Sequence, residues 1–309
     1  LSKNNSDKND NLTSARPIRR VGVLGAGTMG HGIAQVAAAA GCEVVMRDID
    51  AGAVERGRQA IEQNLTKGIE RGKVSEQDRT ETLRRIRATT NLADLSDADL
   101  VIEAAPEILD LKQSLLRETE LLVGSNCIFA TNTSSLSITE IAKASTRPAN
   151  VVGMHFFNPV HIMRLVEIVV GKETHERTTE TVREIAHRMK KEPIVVRDVP
   201  GFASSRLGVT LGLEAMRMVE QGVASAQDID MAMELGYNHP VGPLKLTDLV
   251  GLDVRLNIAE YLHGALRSET FRPPEILRRM VSEGKLGKKS GEGFYKWNEP
   301  DQSQRAYTS

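Results

Sequence analysis

Aromatic residues are scarce. Six Phe, four Tyr and one Trp make up 4% of the 309 residues, so the core has to be built from aliphatic side chains. Cysteine is nearly absent: Cys42 and Cys127 are the two, each inside an apolar, strand-like run. That excludes a disulfide framework and a cysteine metal cluster, and leaves two buried, inert thiols. Neither sign of charge is in excess, with Lys plus Arg at 40, Asp plus Glu at 41 and a formal net charge of −1. A dedicated nucleic-acid binder would carry a basic surplus. Apolar runs stay far short of the ~20 residues that cross a bilayer. The first twenty residues are polar and hold no apolar signal core. A cytoplasmic protein with no membrane or nucleic-acid partner is the expectation, and residues 1–19 read as a disordered tail.

What remains is an ordinary globular composition, 40% hydrophobic and 26% charged. At roughly 150 residues per domain the length suggests two domains. Residues 20–25 are a short apolar run. Thr28 to Ala40 is alanine-rich and closes at Gly41, a helix stop. Glu43 to Arg47 is apolar again and ends at Asp48. The order is β-α-β. From about 51 to 87 the pattern is helical and highly charged, broken at Gly72, with Ser75-x-x-Asp78 as a capping box; this predicts an inserted helical hairpin. Strand-like runs then recur at Leu100–Glu103, Cys127–Thr131, Val151–Met154, Leu165–Val170 and Ile194–Arg197, with helices predicted over Leu109–Val123 and Glu176–Lys190. The alternation implies a largely parallel, doubly wound α/β sheet. After Pro200 and Gly201 the strand pattern ends. Helices are predicted over Leu207–Gln221, from Ser225 to Gly236, and over Leu249–Leu266. The expected division is an α/β domain over 20–198 and an all-helical domain over 199–309.

Gly25-Ala26-Gly27-Thr28-Met29-Gly30 is G-x-G-x-x-G. It follows a strand and opens a helix, the context that the dinucleotide-binding, Rossmann-type fingerprint requires. Gly25 permits the tight turn, Gly27 lets the backbone approach a pyrophosphate, and Gly30 lets helix and strand pack closely. Thr28 and Met29 lie where free N–H groups and the positive end of the helix dipole face the phosphates. Asp48, at the end of the second strand, stands where an acid bonds the ribose 2′-hydroxyl of NAD. Arg47 beside it leaves a 2′-phosphate open, but the acid would repel one.

Thr131-Asn132-Thr133-Ser134-Ser135 ends a strand in small polar groups, as an ordinary turn or cap also does. His155 lies just past an apolar strand, between Met154 and the pair Phe156-Phe157, with Asn158 following. Glu167 sits inside the run Leu165–Val170, where a carboxylate is costly without a partner. If the two runs are neighbouring strands, Glu167 meets His155 and orients its imidazole. Oxidising an alcohol with a nicotinamide cofactor needs a base for the hydroxyl proton, and such a pair suits that role.

These residues also carry a likeness. The chain resembles the short-chain L-3-hydroxyacyl-CoA dehydrogenases, from about Arg20 to Trp297. The matching strings are Gly-Ala-Gly-Thr-Met-Gly-His-Gly-Ile-Ala-Gln at 25–35, Asn-Thr-Ser-Ser-Leu at 132–136 and His-Phe-Phe-Asn-Pro-Val at 155–160, with Asp-Val-Pro-Gly-Phe at 198–202 and Gly-Lys-Lys-Ser-Gly-Glu-Gly-Phe-Tyr at 287–295. The resemblance implies that His155 is the catalytic base and Glu167 its electrostatic partner. It implies that Ser134 bonds the substrate 3-oxygen and that Asn158 holds the substrate near the base. Glu107 and Lys112 match positions at the nicotinamide end of the cofactor, and Asn64 and Arg71 fall near positions that contact CoA. Lys67, Arg71 and Lys73 would equally make a solvated helix face. A homodimer through the helical C-terminal domain is implied as well.

The chain departs from that pattern at Ser205, where the family commonly has Asn contributing to the active site. Ser205 is expected to face the substrate with a shorter reach. Two other readings stay open: a dehydrogenase of a free hydroxy compound such as a sugar acid or carnitine, and a non-catalytic dinucleotide-binding relative.

Overall fold

The computed structural model describes residues 17–297. The chain forms two compact units that divide between Phe202 and Ala203.

The first unit is built on an eight-stranded sheet of order β3-β2-β1-β4-β5-β6-β7-β8. Its strands are β1 (Arg20–Leu24), β2 (Glu43–Arg47), β3 (Ile86–Thr89), β4 (Leu100–Glu103), β5 (Ile128–Thr131), β6 (Val151–Phe156), β7 (Leu165–Val170) and β8 (Glu192–Arg197). All neighbouring pairs are parallel except β6 and β7. The central strands β4, β5 and β6 are buried at every residue, the mark of a sheet covered on both faces. Helix α1 (Gly30–Ala39) is packed so closely that Gly30 and all of Gly32 to Ala38 are buried; alanine and glycine are what that approach allows.

Two helices follow β2. The Asp50 side chain caps α2 (Ala51–Glu70) by accepting from the N–H groups of Gly52 and Ala53. Ser75 and Asp78 form the expected capping box at the start of α3 (Glu76–Arg84). The hairpin ends sooner than the charge pattern suggests, because residues 86–89 are edge strand β3. The other helices of this unit are α4 (Leu109–Glu120), α5 (Ile138–Ala142) and α6 (Glu176–Arg188). Both cysteines are buried free thiols.

The expected tail over 1–19 needs correcting at its end. Residues 1–16 lie outside the described residues. Ile18, by contrast, is 3% exposed and belongs to the core, and the Arg19 N–H donates to Asp99 Oδ2 at 2.9 Å.

The second unit is helical: α7 (Ser204–Glu220), α8 (Ala226–Gly236), α9 (Pro243–Val250), α10 (Leu252–Leu266) and α11 (Glu275–Ser282). The single helix expected over Leu249–Leu266 is two. Gly251 breaks it at φ +106°, a backbone that side-chain-bearing residues avoid. Asp248 then ties down the closing segment by accepting from the Phe294 and Tyr295 N–H groups, each at 2.9 Å, and from Trp297 Nε1 at 2.8 Å. Among the described residues no helix is long and apolar enough to cross a membrane.

Candidate active site

The glycine turn is wedged between two strand ends. A Cβ on Gly25 would stand 2.7 Å from the Ala104 carbonyl oxygen, and one on Gly30 only 1.8 Å from that of Gly25. Both positions are fixed by the protein itself. Gly27 is different: a Cβ there meets nothing within 4 Å, so the space above it is left clear. Thr28 is exposed and Met29 half-buried, and α1 begins with no side-chain cap at Met29. Its first N–H groups therefore stay available to an anion. Asp48 Oδ2 accepts from the Ala26 N–H at 2.8 Å, and Oδ1 accepts from the Asp50 N–H at 3.2 Å. The acid thus holds the turn and keeps lone pairs toward the open side. Beside it Ile49 is 79% exposed.

His155 and Glu167 are direct partners across β6 and β7. His155 Nδ1 and Glu167 Oε2 are 2.7 Å apart, and both side chains are buried. Phe157 and Phe202 pack on the imidazole with ring centroids at 4.5 Å and 5.9 Å. Carboxylate and rings together fix the imidazole plane and leave Nε2 as the nitrogen free to act. Asn158 is exposed on the turn that leaves β6, and among the described residues its side chain makes no hydrogen bond.

A third group lies where β4 and β5 end. Glu103 is 0% exposed and Lys112, on α4, is 1% exposed. The ammonium donates to both Glu103 oxygens at 2.8 Å and 3.0 Å, and to the Ala105 carbonyl at 3.2 Å. Thr131 Oγ1 and the Ala105 N–H, each at 2.6 Å, complete the Glu103 carboxylate. A buried pair needs this many partners to offset its desolvation. Lys112 also lies 3.4 Å from Glu107 Oε2. Its charge is thus largely engaged inside the protein, where Lys112 holds Glu103 and Glu107.

Glu107 in turn organises the polar turn after β5. Its Oε1 accepts from Thr133 Oγ1 at 2.6 Å, from the N–H groups of Ser134 and Ser135 at 2.8 Å and 3.0 Å, and from their hydroxyls at 3.2 Å and 3.1 Å. Burial works to raise the Glu107 carboxyl, but the Lys112 charge and these donors outweigh it and hold it below the usual value. Asn132 Oδ1 accepts from the Phe156 N–H at 2.8 Å. That bond joins the serine turn to the end of β6, so Ser134 and His155 stand at neighbouring strand ends.

The hairpin residues divide. Asn64 donates from Nδ2 to Gln35 Oε1 on α1 at 3.2 Å, so half of its amide is used in packing. Lys67 and Arg71 are exposed. In the second unit Ser205 is half-buried and is the second residue of α7, whose N-cap is Ala203. Sequence reasoning missed Glu103. The signal was present: an acid ending the apolar run Leu100–Ile102, which only a buried cation would justify.

The 3-hydroxyacyl-CoA dehydrogenase NAD binding domain family matches residues 20–199, and the 3-hydroxyacyl-CoA dehydrogenase C-terminal domain family matches 201–297. The chain is 46% identical over 278 residues to a protein of Deinococcus radiodurans named "Probable 3-hydroxybutyryl-CoA dehydrogenase", covering 90% of this chain and 100% of that one. It is 42% identical over 279 residues to the 3-hydroxybutyryl-CoA dehydrogenase of Clostridioides difficile, covering 90% and 99%. Its structure is similar to that of (S)-3-hydroxybutyryl-CoA dehydrogenase from Ralstonia eutropha, with a TM-score of 0.89, 42% identity and coverage of 92% and 100%.

Proposed function

The chain belongs to the 3-hydroxyacyl-CoA dehydrogenase family, and from that premise we propose that it oxidises (S)-3-hydroxybutyryl-CoA to acetoacetyl-CoA with His155 as base. It is an NAD-dependent oxidoreductase of 3-hydroxyacyl-CoA. The observation that carries the assignment of the base is the buried His155–Glu167 pair, 2.7 Å apart and fixed by strand register.

The residues present fit NAD. Gly27 leaves the space a pyrophosphate needs, the uncapped start of α1 offers donors, and Asp48 offers the acceptor for the ribose. Held there, NAD would supply the acceptor for the hydride of the carbinol carbon. The protein's own task is the proton. His155 Nε2 takes it from the substrate hydroxyl, while Glu167 at Nδ1 balances the charge the ring gains. Phe157 and Phe202 keep water from the imidazole. Ser134 offers its hydroxyl to the 3-oxygen, Asn158 helps hold the substrate near the base, and Ser205 adds a further donor. Asn64 and Arg71 on the hairpin take the CoA portion. The second unit makes the homodimer contact, where Leu207, Leu235 and Tyr237 are exposed large hydrophobics. The protein works in the cytoplasm.

Loss of NADH absorbance with acetoacetyl-CoA, set against a panel of free 3-oxo acids, tests this reading. Turnover is expected with the CoA ester and not with the free acids. Comparable turnover of a free acid would overturn the substrate assignment.

A further inference from the structure

One turn of the first unit is held by an unusual cation. Lys191 is 4% exposed. Its ammonium donates to the Val160 and Met163 carbonyls, the latter at 2.8 Å, and burial lowers its affinity for the proton. The turn it holds carries His161. The same turn rests on α1: a Cβ on Gly32 would stand 2.8 Å from Val160 Cβ. His161 therefore lies beside the start of α1, where His31 is fixed by a 2.8 Å bond between Nδ1 and the Gly27 carbonyl. Helix α2 is tied to α1 through Asn64 and Gln35, and Lys67 and Arg71 follow one and two turns later. His31, Lys191, Arg71 and Lys67 all bear on His161 as cationic neighbours. Among the described residues none of these five side chains forms an ion pair with a carboxylate. The N-terminal end of α1 adds its own positive field. Positive charge gathered without a paired carboxylate favours an anion here.

We propose that His31 and His161 join Lys67 and Arg71 in binding the phosphoryl groups of a nucleotide-bearing ligand, and that His161 takes up a proton when that ligand binds. The inference rests on the dehydrogenase reading above, which provides two such ligands, the dinucleotide and the CoA thioester. Burial and the cationic neighbours hold His161 below the usual imidazole value, so it is neutral near pH 7. A phosphoryl group cancels that field and makes the imidazolium the favoured form. The consequence is specific in sign. A phosphomonoester entering a cationic site gives up its own last proton, because its second pKa is about 6. Net uptake must then come from the protein.

The test is isothermal titration calorimetry of the full chain near neutral pH, in buffers of different ionisation enthalpy. The probes are CoA, 3′-dephospho-CoA and NADH. Net proton uptake is expected with at least one of them, and the probe that shows it identifies the phosphoryl group concerned. His161→Gln should abolish the uptake and weaken that probe about five-fold or more, the scale of one charge contact. An NMR titration of the His161 ring in the wild type, with and without the probe, gives the same answer with no variant; its midpoint should rise on binding. Binding without uptake, uptake unchanged in His161→Gln, or an unmoved midpoint would overturn the proposal and leave the dehydrogenase reading intact. Failure of the wild type to bind NADH and CoA would instead overturn the dehydrogenase reading.

Discussion

His155 and Glu167 face each other across the only antiparallel pair among the described strands, with Nδ1 and Oε2 2.7 Å apart. The reversal between β6 and β7 is what makes this possible. It brings a residue twelve positions later back to the same level of the sheet, and a slip of one residue would turn Glu167 to the opposite face. His155→Ala should lower kcat by at least ~10²–10⁴-fold, the worth of a general base, with NADH affinity nearly unchanged. Glu167→Gln keeps the shape and removes the charge, so it should slow turnover strongly in a folded protein. Near-normal steady-state turnover of His155→Ala would show that another group is the base.

Asp48 has two tasks that substitutions can separate. It accepts from the Ala26 N–H, and on the reading proposed above it offers its charge to a ribose. Asp48→Ala should weaken NADH binding by ~1.5–3 kcal/mol and also lower Tm, because the glycine turn loses its anchor. Asp48→Asn keeps an acceptor for Ala26, so it should spare Tm and still relax the preference for NADH over NADPH. Equal kcat/KM of the wild type with the two cofactors would remove Asp48 from the ribose site.

Glu107 links the serine turn to pH. Its carboxyl titrates below the ordinary value of 4.5 in the folded protein. A carboxylate depressed in this way stabilises the fold above the unfolded value, and that contribution is lost as pH falls through the folded one. Wild type and Glu107→Gln should therefore differ most in Tm near neutral pH and converge in acid below 4.5. A difference that stays constant down to that range would mean that the charge does not hold the turn.

The buried pair of Lys112 and Glu103 predicts a compensation. Lys112→Met leaves a carboxylate uncompensated in the core and should cost ~3–5 kcal/mol. Adding Glu103→Gln removes the stranded charge, so the double variant should regain part of the loss. Urea midpoints of the two variants measure this, and a double variant less stable than Lys112→Met would contradict the pairing.

How legible these features were in the sequence follows from how each is stabilised. Strands β1, β4, β5, β6 and β7 are buried apolar runs, and composition alone marks them. Strand β3 is not such a run. It is four residues at the edge of the sheet, and its Arg87 turns out to pair with Asp94 at 2.6 Å, so its charge blends into the preceding helix. The His155–Glu167 pair was readable because a carboxylate in an apolar strand demands a partner. The place of Lys112 was not, since its burial depends on where α4 lands over the end of β4. The break at Gly251 was hidden for a related reason: the apolar period continues through it, and only the backbone angle shows the turn.

Ser205 is proposed as a substrate donor, and the start of α7 separates that role from helix capping. A serine at the start of a helix commonly caps it. Here the N-cap is Ala203, and Ser205 stands inside the first turn of α7, so its hydroxyl does not close the helix. Ser205→Ala should accordingly leave the unfolding free energy within about 0.5 kcal/mol of wild type, the usual range for substitutions away from such features. If the hydroxyl assists the substrate, the fall in kcat/KM should correspond to ~0.5–1.5 kcal/mol of transition-state stabilisation, the net worth of an ordinary hydrogen bond. Ser205→Asn installs a longer amide donor and should shift KM more than kcat, because it changes how the substrate is held and not how the proton moves. Steady-state kinetics and thermal melts on the same two variants decide the matter. A fall in Tm with kcat/KM unchanged would make Ser205 a structural residue and remove it from the site.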